Sequence, residues 1–471
     1  MGSGRIIVLG YGLTGRSCSD FFSKKGFLLE IRDLDADLKR RVESDLHILA
    51  SADRIVAGSD YLEYVDYSSA DIVIISPGLN PTDVALQSAF LLPEKLHNDV
   101  TVFLDELPPS YRTVGITGSN GKSTTSTMLE VTLQSLGYET DLVGSIGRSP
   151  LGINPFGGHG RKYQMVFEVG SSLLDVFQPH HGFSIVAITN ISSNHLDRYQ
   201  GDLSLYVEAK LKALNSDSHL VINIDDPGIQ EHLLPKVGAM ARSGRLTVTT
   251  SNDSLNVESY ADVFALVSGR KVFRHHLGQS LEICSDLGIH ENAAAHDLQN
   301  ALLAVSCAKL LNPDDKISEP LSLFSPLRHR IQLLGRKRGI AWYNDSKATS
   351  PSASAVGIKH VGNLYRVVLI AGGSDKDMDF SELLQPIGDH VSHMIILPGT
   401  AASKLIECAT LMGVPYSQVD TAAGAFATAA SVSANLGDGV SVLLSPAAGS
   451  RPLFSNFEER GDSFIQAYSQ I

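Results

Sequence analysis

At 471 residues the chain is too long for one hydrophobic core and implies about three domains. Its 43% hydrophobic and 19% charged residues exclude a disordered chain, and a net charge of −13 with no basic run argues against a nucleic-acid partner. Cys18, Cys284, Cys307 and Cys408 lie far apart with no C-x-x-C pair, which argues against structural zinc and a disulfide framework. No signal peptide is legible and no apolar run reaches the ~18 residues that would cross a membrane, so a cytoplasmic protein in a reducing compartment is expected.

Arg5 to Leu9 predicts a strand, followed by the loop G-Y-G-L-T-G (Gly10, Gly12, Gly15) and a helix through Phe22. Asp33 ends the next apolar run, which completes a dinucleotide-type fingerprint with a ribose-binding acid. A strand at 71–75 runs into Ser76-Pro77-Gly78, a loop at the strand end where ligands bind in such sheets. Residues 1–108 read as a Rossmann-like domain, closed by the turn L-P-P-S.

Thr113 to Thr125 then reads T-V-G-I-T-G-S-N-G-K-S-T-T, a β-branched strand, a glycine turn, Lys-Ser and a helix. This is the layout of a phosphate-binding loop over Gly118, Ser119, Asn120, Gly121, Lys122, Ser123 and Thr124. Backbone N–H groups close around phosphate oxygens, Lys122 reaches the outer phosphates and the Ser123 hydroxyl ligates Mg²⁺. The strict motif has glycine where this chain has Ile116, so the loop is a variant one. A nucleoside triphosphate is the expected ligand.

Further strands are expected at 164–169, 183–191 and 219–227, and 245–285 alternates like a small antiparallel excursion. Glu168 and His195 follow strand ends and, beside Ser123, form an oxygen-and-imidazole set suited to Mg²⁺; a solvated strand end accounts equally for Glu168 alone. Lys210, on a helix at 206–214, reads as readily as a surface lysine, and His180-His181 as a solvated loop pair. A helix is expected at 296–305. Strands at 340–345, 367–371, 394–398 and 440–446 form a third α/β domain, 327–471, after a central domain of 109–326. Its strand-end loops carry Lys347 and Lys376, which suit an anionic substrate, although surface loop charge explains either alone.

The segments G-I-T-G-S-N-G-K-S-T-T, N-I-S-S-N-H-L-D-R-Y, Y-V-E-A-K-L, L-R-H-R, N-D-S-K-A-T and S-P-A-A-G-S-R-P-L-F-S-N-F-E-E-R-G-D-S-F resemble the Mur ligases, and within them the MurD type. The resemblance spans nearly the whole chain. It implies an N-terminal Rossmann-like domain for a UDP precursor, a central ATPase domain with a mainly parallel sheet and a C-terminal Rossmann-like amino-acid domain. The implied reaction adds D-glutamate to UDP-N-acetylmuramoyl-L-alanine through an acyl phosphate in peptidoglycan synthesis, with ATP and two Mg²⁺ ions, in a monomer. It further implies that Leu13, Thr14, Asp33, Ser76 and Gly78 contact uridine diphosphate rather than a nicotinamide cofactor. Asn300, Arg330 and Asp345 match nucleotide contacts; Lys347, Thr349, Lys376, Ser450 and Phe457 match glutamate contacts; Lys210 matches a lysine carbamylated by CO₂ that joins the metal site.

The chain departs from the pattern at four places. V-G-S-S-L-L replaces the usual S-S-F-Q after Glu168, Ser145 replaces an asparagine, H-D-L-Q-N replaces H-N-x-x-N, and Ser350 ends N-D-S-K-A-T-S where asparagine is usual. Three readings compete with this one. A folylpolyglutamate synthase or another Mur enzyme shares the superfamily, but the former leaves the first glycine loop and Asp33 unexplained. A Rossmann oxidoreductase leaves the phosphate loop unexplained. A nucleotide-binding homologue that has lost catalysis, or a ligase with another acceptor such as L-glutamate, fits the altered S-S-F-Q region.

Overall fold

The computed structural model describes residues 4–82, 92–146, 148–154, 162–194, 196–252, 256–267, 270–289, 293, 295–324, 328–375 and 378–471. The chain divides into two compact units, one of Met1–Ile191 with Ser204–Phe324 and one of Ser192–Leu203 with Ser325–Ile471. The first carries two sheets and the second carries one.

The first sheet contains β1 (Arg5–Leu9), β2 (Leu28–Asp33), β3 (Ala52–Ala57), β4 (Ile72–Ile75) and β5 (Leu96–His97), in the order β3-β2-β1-β4-β5 and all parallel. Ile6, Ile7, Val8 and Leu9 are all fully buried, because a parallel sheet is covered on both faces and its central strand has no solvent side. The order 3-2-1-4 is that of a Rossmann half, with the crevice above β1 and β4.

The second sheet contains β6 (Val114–Thr117), β7 (Glu139–Gly144), β8 (Tyr163–Glu168), β9 (Ile185–Ile188), β10 (His219–Asn223), β11 (Leu246–Thr250), β12 (Asp262–Val267), β13 (Lys271–His276) and β14 (Gln279–Cys284). Their order is β14-β13-β12-β11-β10-β9-β6-β8-β7. The antiparallel excursion expected over 245–285 is corrected. β11 and β12 pair in parallel and extend the main sheet; only β13 and β14 turn back. Side-chain alternation carries no strand direction, whereas connection length does: three residues between β12 and β13 allow only a hairpin. The helix Lys122–Ser135 packs Met128, Leu129 and Leu133 against Ala301, Leu302 and Val305 of the helix Ala295–Leu311.

The third sheet contains β15 (Gln332–Lys337), β16 (Ile340–Asn344), β17 (Arg366–Gly372), β18 (Val391–Leu397), β19 (Tyr416–Gln418) and β20 (Val440–Leu444). It runs β15-β16-β20-β17-β18-β19, parallel except for the β15–β16 pair. Trp342 anchors one face against Phe464 and Tyr468 of the last helix, Phe457–Gln470. Among the described residues no helix is long and apolar enough to cross a membrane.

Candidate functional site

The turn after β6 is built by glycine. Gly118 (φ +143°) and Gly121 (φ +81°) lie in the left-handed region. A Cβ on Gly118 would sit 1.9 Å from Thr189 Oγ1, and one on Gly121 2.6 Å from Asn300 Oδ1. The turn is strapped to the end of β9. Ser119 N–H donates to the Asn190 carbonyl (3.0 Å), Asn120 N–H to Asn190 Oδ1 (2.8 Å), and Thr189 and Asn190 return bonds to the Asn120 carbonyl (2.5 and 3.0 Å). Asn300 closes the other side, accepting from Thr125 Oγ1 at 3.1 Å. Thr189 and Asn190 were not among the expected site residues. They sit at a strand's C-terminal end, the same signal that pointed to Glu168. Gly121 caps the helix Lys122–Ser135, so the helix N-terminus and its partial positive charge face the turn; Ser123 and Thr124, in the first turn, are buried.

Two lysines converge on one carbonyl oxygen of this turn. Lys122 Nζ donates to the carbonyls of Gly118 (3.0 Å) and Ser119 (2.9 Å), and Lys210 Nζ to that of Gly118 (2.8 Å). Lys210 is 1% exposed, which corrects its reading as a surface lysine. The helix Leu203–Leu211 turns Tyr206 and Lys210, four residues apart, to the same inward face, with Nζ 4.2 Å above the Tyr206 ring. Burial first, and then the charge of Lys122, push the Lys210 amine well below the ordinary lysine range. Tyr206, bonded to Ser119, is pushed up to about 12 by burial.

Glu168, at the end of β8, is 5% exposed, and its Oε2 is buried with no hydrogen-bond partner. A buried carboxylate oxygen left unpaired at a phosphate loop is where a cation is needed, and carboxylate with hydroxyl is a donor set for Mg²⁺. Ser145 adjoins it, donating its N–H to the Glu168 carbonyl (2.8 Å) and accepting the Gly170 N–H on Oγ (2.9 Å). His195 lies outside the described residues. His181, expected as a solvated loop residue, is instead 2% exposed because the turn after Gln178 folds its ring against Phe177 and Asp105; His180 is exposed as expected.

At the edge of the first sheet, Ser76 packs on Gly10, and Asp33 accepts the N–H groups of Tyr11 and Asp35. Thr14 donates to the buried Asp99 (3.1 Å), Leu13 stands exposed, and Gly78 is exposed in the loop after β4. The glycine loop, Asp33 and Ser76 thus share one strand-end crevice.

In the second unit, Asp345 follows β16, buried, accepting from Ser445 Oγ (2.7 Å) and Ile331 N–H (3.2 Å). Burial pushes its carboxyl up to about 7, against the pull of Arg330 and Arg460. Lys347 Nζ lies 3.8 Å over the Phe457 ring, which brings two expected residues together. Ser374 exchanges backbone bonds with Gly449, so the loop after β17 runs beside Ser450; Thr349 is half-buried, and Lys376 lies outside the described residues. Arg460, absent from the expected set, knits this edge. Its guanidinium donates to Ser346 Oγ and the carbonyls of Ser346, Ala448 and Gly449 at 2.9–3.2 Å.

A strapped glycine turn at the head of a parallel sheet, in a chain with two further α/β sheets, makes this molecule a three-domain phosphate-loop nucleotide-binding protein. Residues 116–308 match the Mur ligase middle domain, and residues 4–92 match the N-terminal domain described as Mur ligase MurD-like. The chain is 32% identical to the UDP-N-acetylmuramoylalanine--D-glutamate ligase of Streptococcus agalactiae serotype III, over 99% of this chain and 97% of that one. It is 30% identical to the protein of the same name from Streptococcus pneumoniae serotype 2, with the same coverage. The solved UDP-N-acetylmuramate-alanine ligase MurC of Thermotoga maritima shares the fold with a TM-score of 0.57 at 15% identity, over 99% of both chains. E. coli FolC in complex with ADP does so at 0.54 and 16%, over 79% of this chain and 92% of that one. The chain belongs to the Mur ligase family. It is an ATP-dependent ligase that forms C–N bonds in peptidoglycan precursor synthesis.

Proposed function

We propose that the chain joins D-glutamate to the alanyl carboxylate of UDP-N-acetylmuramoyl-L-alanine, as a cytoplasmic monomer acting on small molecules. The observation that carries this reading is the pair of lysines on the Gly118 carbonyl, Lys210 buried and Lys122 half-buried, beside a phosphate turn and with the unpaired Glu168 Oε2 at the same sheet edge.

The N–H groups of residues 118–124 and the Lys122 ammonium hold the triphosphate, Lys122 exchanging its two carbonyl bonds for phosphate oxygens. Ser123, Glu168, His195 and a carbamate on Lys210 would hold Mg²⁺, as two ions, which supply charge neutralisation at the phosphates. The carbamate has a chemical basis: burial favours the unprotonated form of the Lys210 amine, the form that adds to CO₂ with release of a proton, turning a nitrogen base into an anionic oxygen ligand beside the Lys122 cation. Asn300, Arg330 and Asp345 are assigned to the nucleotide, and Leu13, Thr14, Asp33, Ser76 and Gly78 to uridine diphosphate, with Ser145 toward the precursor.

A carboxylate is a poor electrophile. The γ-phosphoryl group therefore passes to the alanyl carboxylate, breaking its bond to ADP, and positioning and electrostatics lower this barrier without a covalent enzyme nucleophile. The glutamate amine then attacks the acyl carbon, loses a proton, and phosphate leaves. Lys347 over Phe457, with Thr349, Lys376 and Ser450, is assigned to glutamate. A lysine in each of two loops suits a dicarboxylate, and an apolar amino acid would leave a cation unpaired at a cost of roughly 1–3 kcal/mol.

The test is phosphate release with ATP, Mg²⁺ and UDP-N-acetylmuramoyl-L-alanine, offering D-glutamate, L-glutamate, L-alanine and meso-diaminopimelate separately. D-glutamate alone should be turned over. Turnover only with a different amino acid removes the acceptor assignment and leaves the ligase in place.

A further inference from the structure

The loop that carries Arg330 is folded against its own backbone preference. His329 (φ +63°) and Ile331 (φ +42°) both lie in the left-handed region, where a β-branched side chain such as isoleucine is rarely found. Such a turn persists only where its neighbours hold it from several sides. His329 N–H donates to Gln332 Oε1 (3.1 Å), the His329 carbonyl accepts the Lys347 N–H (3.0 Å), and His329 Nδ1 faces Asn344 Nδ2 at 3.0 Å. Those bonds fix the first residue of the turn. Ile331, the last, has its N–H on Asp345 Oδ1 at 3.2 Å.

The grip on Ile331 is only as firm as the placing of Asp345. Strands β16 and β20 pair from Ala341 with Ser441 to Asn344 with Leu444, and the next residue of each is Asp345 and Ser445. Ser445 Oγ lies 2.7 Å from Asp345 Oδ2 and 2.9 Å from Ser354 Oγ, and both serines are fully buried. A hydroxyl has one proton to give. Facing an ionised carboxylate, Ser445 donates to Asp345 and accepts from Ser354; facing a protonated one, it accepts from Asp345 and donates to Ser354. The pair thus holds Oδ2 in either state and leaves Oδ1 to Ile331. Gly357 lets the helix Pro351–Gly362 bring Ser354 this close, since a Cβ there would lie 2.5 Å from Asp345 Oδ2 and 3.2 Å from Ser445 Oγ.

We infer that Ser445, backed by Ser354, is a positioning residue: it keeps Asp345 on the Ile331 N–H and so holds the left-handed turn on which Arg330 stands. The inference rests on the assignment of Arg330 to the nucleotide made above. A guanidinium fork recognises its acceptors in a fixed geometry. Without the clamp the turn relaxes toward ordinary backbone angles, only a fraction of molecules keep the arginine in place, and nucleotide affinity falls by that fraction.

Full-length variants would be titrated with a non-hydrolysable ATP analogue and Mg²⁺ by calorimetry, and backbone hydrogen exchange followed at Ile331. Ser445→Ala should weaken binding about tenfold and speed that exchange by a similar factor. Ser354→Ala, one bond further out, should do both by about threefold, and it carries the test if Ser445→Ala does not fold. Ser441→Ala, which removes another buried hydroxyl from β20, should change neither. Glycine takes the left-handed conformation unaided, so in an Ile331→Gly background Ser445→Ala should cost less than about twofold in affinity. Arg330→Ala should weaken binding with the clamp intact. Weak binding by Arg330→Ala beside full affinity and native exchange in the serine variants would overturn the clamp alone. Full affinity in Arg330→Ala would overturn the nucleotide assignment and, with it, the clamp's part in binding. Equal losses in Ser441→Ala, or full additivity with Ile331→Gly, would mark a general loosening of the sheet and overturn the inference.

Discussion

Two buried cations at the C-terminal edges of parallel sheets behave in opposite ways. Lys210, under the phosphate turn, makes its hydrogen bond to the Gly118 carbonyl and is pushed well below the ordinary lysine range by burial and the neighbouring Lys122 charge. Arg460, under the strand ends of the third sheet, is equally inaccessible and is lowered only to about 9, so it keeps its charge at pH 7. The guanidinium starts from far higher basicity and spreads its charge over a fork that meets four acceptors, whereas the amine has a point charge and little to offset desolvation. Equal burial strips basicity from the amine in one place and leaves a charged structural clasp in the other. The side chain's own chemistry and the number of acceptors decide which.

The largest effects should fall on the phosphate turn. Lys122→Ala should lower ligation and ATP hydrolysis together by about 10²-fold or more, measured as phosphate release. Lys210→Ala should be nearly inactive and partly restored by acetate, which supplies the missing carboxylate; full activity without acetate would return Lys210 to a packing role.

The second unit offers a titration. Folded Asp345 keeps its proton up to about pH 7, whereas the ordinary carboxyl of an unfolded chain releases it near 3.8. Between those values the folded state binds more protons, so this residue makes stability fall as pH rises, by up to about 4 kcal/mol over the window. Asp345→Asn should flatten that slope in urea melts taken from pH 4 to 7.

The sharpest form of the comparison sets two substitutions side by side. Arg460→Met strands Ser346 and three buried carbonyls and should cost about 3 kcal/mol in urea unfolding. Lys210→Met replaces an amine whose charged form burial disfavours by an apolar chain of similar volume and should change stability by less than about 1.5 kcal/mol while abolishing ligation. Equal destabilisation by both would mean that Lys210 is charged in the fold.

The smallest effect is local. Ser350 caps the helix Pro351–Gly362 by accepting the Ala353 N–H at 3.3 Å, so Ser350→Ala should cost about 1 kcal/mol. Asparagine there should hold stability, because either side chain caps.

What the sequence by itself determined is what short-range chemistry dictates. The glycine turn from Gly118 to Gly121, its Lys-Ser and the helix behind it are contiguous, and each residue's demand is met by its neighbours. Fully apolar runs such as I-I-V-L in β1 and V-V-L-I-A in β17 announce buried parallel strands for the same reason. Asp33, Ser76 and Glu168 were legible as polar groups at the ends of apolar runs, and Asp345 through the resemblance of N-D-S-K-A-T. Tertiary structure alone decided the rest. The direction of β11 and β12 depends on which edge they join, and alternation is silent about that. The burial of Lys210 depends on how one helix rolls beneath a turn 92 residues earlier. The grip of Thr189 and Asn190 on Asn120 and the closing of His181 on Asp105 are pairings across some 70 residues, set by strand order. Arg460 reads as one more charge in E-E-R-G-D until the fold wraps four acceptors around it. Desolvation changes what a lysine, an aspartate or a histidine is, and desolvation belongs to the packed molecule rather than to any stretch of its chain.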